Sequence, residues 1–161
     1  MGKTHWNQMD DISKVHHFIE KFALIPKKNW NKGQLVKDDK RCALGHCGVT
    51  VESQLTDEAV ELGKLYLKYL PKTKEFNESL FVNKNDAIIC LVGTVNDSFD
   101  VDPILELKQY SAKRHTLFAL HVIKQRINKK SRISRHDSML MSEEITQEDL
   151  SDAALYKPEL V

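Results

Sequence analysis

The sequence predicts a mainly α protein. One compact helical domain of four to six helices fills residues 1–130, and a flexible tail, basic then acidic, follows over 131–161. Three observations carry this. Apolar residues recur at helical spacing in several segments. Those segments open on capping residues and two of them close on proline. The chain of 161 residues is 41% hydrophobic, which suits about one domain with a core that needs no covalent staples.

The elements follow in order. Asp10 and Asp11 can cap a first helix, with Ile12, Val15, Ile19 and Phe22 at helical spacing and Pro26 closing it. His16 falls on the same stripe. Residues 25–40 show no periodicity and read as a long loop that Trp30 and Leu35 pin to the core. Asp38 and Asp39 are placed to cap a second helix through Cys42–Cys47. Its Gly45 and Gly48 would serve close approach of another element. Thr56, Asp57 and Glu58 open a third helix with Ala59, Leu62, Tyr66 and Tyr69 as its stripe, and Pro71 ends it.

Residues 72–85 are polar and read as a connection. Residues 87–95 are apolar all round, so periodicity alone admits a buried helix or one short β element; the helical context favours the helix. Asn96-Asp97-Ser98 is a turn or cap signal, and Asp102-Pro103 a helix start. Ser111 can cap a last helix to about Asn128, with Thr116, Leu120, Ile123 and Ile127 on one face.

Net charge is +1, so no global field argues for nucleic acid or membrane. Three cysteines do not suggest a disulfide framework, and the longest apolar run, 87–95, is about half a membrane span. These features, with no apolar leader at the N-terminus, point to the cytoplasm (the host cytoplasm if the chain is phage-encoded) and to no membrane partner. No phosphate loop, dinucleotide fingerprint, nucleophile elbow or zincin motif occurs, and no cofactor is implied.

Charge is uneven along the chain. Nine lysines and arginines and no acid lie between Lys108 and His136, and seven acids and one lysine follow to Val161. A basic helix 108–136 that grips phosphate is one reading; a solvated helix face, with cations favoured at a helix C-terminus, is the plainer one. The candidate binding residues are Lys124, Arg126, Lys129, Lys130 and Arg132, with Trp30, Asn96 and Asp97.

Cys42 and His46 share a helix face, and Cys47 follows directly. Cys42 could be a thiolate nucleophile served by His46 or His115. Alternatively Cys42, His46 and Cys47, with Cys90 or His16, could hold zinc. The plain reading is small buried cysteines beside a hydrogen-bonded core histidine.

Trp30 with Gly33, then Cys42-Ala43-Leu44-Gly45, then Val95-Asn96-Asp97 together resemble a family of small helical phage and bacterial proteins of uncharacterised function. Its members carry a tryptophan loop, a Cys-x-Leu-Gly helix and a late Asn-Asp turn. The resemblance spans roughly residues 10–125. The chain departs from it at His46 and Cys47, where the family has small apolar residues. The resemblance implies a helical fold and a phage accessory role. The function expected is therefore a non-enzymatic interaction protein binding a host macromolecule, a protein partner first. The alternatives are nucleic-acid binding through 108–136 and a thiol enzyme centred on Cys42.

Overall fold

The computed structural model describes residues 5–70, 83–97 and 111–132. The chain is mainly helical, as the sequence predicts. Among the described residues there are five α-helices: α1 Asp11–Leu24, α2 Ala43–His46, α3 Asp57–Tyr69, α4 Lys84–Asp97 and α5 Ala112–Arg132. Single 3₁₀ turns occupy Trp6–Gln8 and Lys27–Asn29, and a two-stranded antiparallel hairpin joins β1 (Val36–Lys37) to β2 (Lys40–Arg41).

Local chemistry sets most of these boundaries. The Asp10 carboxylate accepts from the Ser13 amide, the Thr56 hydroxyl from that of Ala59, and the Ser111 hydroxyl from that of Arg114. Before Pro26 and Pro71, Ile25 and Leu70 turn to extended backbone and stop α1 and α3.

Segment 87–95 is helix throughout, within α4. It buries Ala87, Ile88, Val92 and Val95 and leaves Cys90 and Thr94 exposed, so a short β element there is excluded. Asp38 and Asp39 cap no helix. They form the hairpin turn, with Asp38 at φ 57°, and α2 starts only at Ala43. Gly45 meets the expectation of close approach: an added Cβ would lie 2.8 Å from the Leu35 carbonyl oxygen. Gly48 lies beyond α2, at φ 87°. His16 is exposed, and the buried stripe of α1 is Val15, Phe18 and Phe22. The helix start at 102–103 and the tail beyond Arg132 lie outside the described residues.

The core centres on α5, which packs against α1, α3 and α4. Ala112, Leu117–Leu120, Val122 and Ile123 are buried along its first three turns. Lys113 is also fully buried, and its ammonium donates to the Ala23 carbonyl at 3.0 Å, satisfying the C-terminal end of α1. His121 lies near His16 further along. The two helices therefore run antiparallel.

Candidate functional site

Asn96, in the last turn of α4, is fully buried. Its Oδ1 accepts from the Ala43 amide at 3.0 Å. That is the first amide of α2, whose own N-cap, Cys42, offers no side-chain bond. A side chain from a distant helix thus supplies the cap that the local sequence lacks. Asn96 Nδ2 donates to the Asn31 carbonyl at 2.8 Å and to Asp97 Oδ1 at 3.0 Å. Its own carbonyl accepts from His115 Nδ1 at 3.1 Å. Asp97 Oδ1 also accepts from the Gly33 amide at 3.0 Å. One buried amide and its neighbour therefore hold the loop, α2, α4 and α5 together.

Trp30 anchors the other side of the loop. It is buried, donates Nε1–H to the Ile25 carbonyl, and packs against Phe22 and against His46 at 4.5 Å between ring centres. The residues that the sequence singled out as Trp30, Gly33, Cys42–Gly45, Asn96 and Asp97 are brought to one place.

The chemistry expected of Cys42 and His46 meets a different environment. Cys42 is buried, which pushes its thiol above the usual range, and the Asp97 charge adds to this. Four-residue α2 is too short for a useful dipole against that burial. His46 has its Nε2 on the Asn29 carbonyl at 3.1 Å. Burial, with Arg41 and Lys21 nearby, holds it neutral down to about 4. Cys47, at the opposite end of α2, is pushed up by burial and by Glu58. Cys90 and His16 are exposed on other helices. Among the described residues, no three histidine, cysteine or carboxylate side chains are grouped to hold a metal ion.

An open cleft of about 540 Å³ lies beside His46 and Cys47, walled by Lys21, Asn29, Asp39, Arg41 and Glu58. Glu58 is held by Lys21 and, at 3.1 Å, by His17. Sequence reasoning missed Lys21, Arg41 and Glu58. The spacing of His17 and Lys21, four apart on α1, was the available signal for two side chains on one face that can bond a carboxylate.

The basic candidates on α5 are unequal. Arg126 is buried, Lys124 and Lys129 are half-buried, and Lys130 and Arg132 belong to the last turns. Among the described residues, no helix is long and apolar enough to cross a membrane. The fold and this site define a small helical bundle with an internally clamped tryptophan loop. No protein-family model, curated protein or solved structure matches the chain.

Proposed function

We propose that this is a non-enzymatic interaction protein, a phage accessory protein that binds a host macromolecule through the basic C-terminal end of α5. The observation that carries this reading is a difference in length. Helix α5 has 21 residues against 14 in α1 and 14 in α4. At about 1.5 Å per residue it outruns them by roughly 10 Å. The antiparallel register with α1 puts the excess at the end that carries Lys129, Lys130 and Arg132. The resemblance of the Trp30, Cys42–Gly45 and Asn96–Asp97 motifs supports the phage origin. Burial of Cys42 and Cys47, with both thiols pushed up, favours binding over thiol catalysis.

The test compares the full chain with a Lys129→Glu/Lys130→Glu variant in affinity capture from host lysate, with and without nuclease. A protein partner that survives nuclease and is lost in the variant is the expected result. Equal capture by both chains overturns the α5 surface. A second reading has its own support, since nine basic residues without an acid between Lys108 and His136 also suit phosphate. Capture that nuclease abolishes and that the Lys129→Glu/Lys130→Glu variant loses decides for it. A thiol enzyme would instead lose its cellular activity on Cys42→Ser.

A further inference from the structure

A second basic surface lies at the other end of α1. Lys27, Lys28, Lys32, Lys37, Lys40 and Arg41 are all exposed, and only Asp38 and Asp39 oppose them between residues 25 and 41. Six cations against two acids is +4 over residues 25–41, in a chain whose total is +1. We infer that the face formed by the Lys27–Asn29 turn and the β1–β2 hairpin binds nucleic acid through its phosphate backbone.

The hairpin itself argues for an anion. Its register sets Lys37 directly opposite Lys40. Like charges facing each other across a strand pair destabilise it, and a phosphate laid over them removes that penalty. The loop behind is fixed. Trp30 is buried, the Asn31 amide donates to the Arg41 carbonyl at 2.9 Å, Asn31 Nδ2 donates to the Gln34 carbonyl at 2.9 Å, and Gly33 is tied to Asp97. Cations on a fixed backbone lose less entropy on binding than cations on a loose tail.

Arg41 belongs to both the hairpin and the cleft wall, so the two features are continuous. The cleft itself carries Asp39 and Glu58 against Lys21 and Arg41, with Glu58 bonded to Lys21 and His17, so the excess positive charge lies on the hairpin rather than in the cleft. Between Lys27 and Arg41 only one large apolar side chain, Val36, is exposed, and Leu24, exposed at the end of α1, lies outside that stretch. A protein interface needs an apolar centre, whereas phosphate contacts need charge alone. Base-reading specificity is not expected from such a surface.

The test titrates the full-length protein into fluorescein-labelled DNA of about 20 nucleotides, single-stranded and duplex, following anisotropy from about 50 to 200 mM salt. Wild type should bind with a steep salt slope. A Lys37→Gln/Lys40→Gln/Arg41→Gln variant, with unchanged circular dichroism, should bind about tenfold or more weakly and lose about three units of slope. Lys129→Gln/Lys130→Gln should bind as wild type, which separates this face from the α5 surface. His46 ring resonances should shift on adding the unlabelled DNA, a readout that needs no variant. The inference is overturned if wild type does not bind, if the hairpin variant binds equally well, or if only the α5 variant loses affinity. It is likewise overturned if poly-glutamate competes as well as DNA, which would assign the face to an acidic protein.

Discussion

Asn96 shows how a residue with a local sequence signal can act at long range. As sequence, Asn96-Asp97 is a turn signal, yet both residues lie inside the last turn of α4. Their work is three-dimensional, because the groups they bind are Gly33, Asn31, Ala43 and His115. No local rule could foresee those partners. Asn96→Ala should strand the Ala43 amide and the Asn31 carbonyl in a buried site, at about 1–3 kcal/mol for each group left unsatisfied. Urea unfolding monitored by circular dichroism would read this as a lower midpoint with unchanged slope; an unchanged midpoint would refute the cap. Titration gives a second expectation. His46 and His121 are both pushed from 6.5 down to about 4, chiefly by burial. A base whose folded value is depressed binds its proton more readily when unfolded. Stability from these groups is therefore complete above 6.5 and declines as pH falls from there towards 4. Thermal midpoints measured from pH 7 to 4 should decline, and the decline should shrink in His46→Gln.

At the level of elements, what was legible followed the length of the pattern. Helices α1, α3 and α5 each carry a long apolar stripe and a capping residue beside it, and the sequence placed all three. Helix α4 was ambiguous because its short apolar run hides the period; the answer lies in its flanks, which extend the helix to Lys84 and Asp97. The hairpin was invisible, since strands of two residues have no alternation to read. The α3–α4 contact was equally hidden. The Ile88 side chain lies so close to Gly63 that an added Cβ would collide with its Cγ2 and Cγ1. Gly63→Ala should then destabilise the fold by about 1–3 kcal/mol despite its better helix propensity. Denaturation of Gly63→Ala alone and together with Ile88→Ala would check this: the second change should recover part of the loss if the clash is the cause.

At the scale of the whole molecule, two sets of long-range ties position the loop and α5. The described part of the tryptophan loop is held from below by Trp30 against Phe22 and His46, and from the side by Asp97. The buried Lys113 joins the start of α5 to the end of α1. Reading this lysine as part of a solvated basic face mistook a helix-end partner for a surface charge, since nothing in a run of cations reveals which one points inward.

The Asn96–Asp97 clamp also has a consequence in time. The Gly33 and Ala43 amides lie ten residues apart, in a loop and at a helix start, yet both depend on the same turn of α4. Each amide is protected only while its bond to that turn holds, the Ala43 bond buried and the Gly33 bond exposed. Their exchange should proceed at one shared rate, slowed together and accelerated together by Asn96→Ala, as a single opening event. Two independent rates would mean that the loop breathes without α4. A shared rate would mean that the cationic hairpin is displayed in one fixed pose for as long as α4 stays closed.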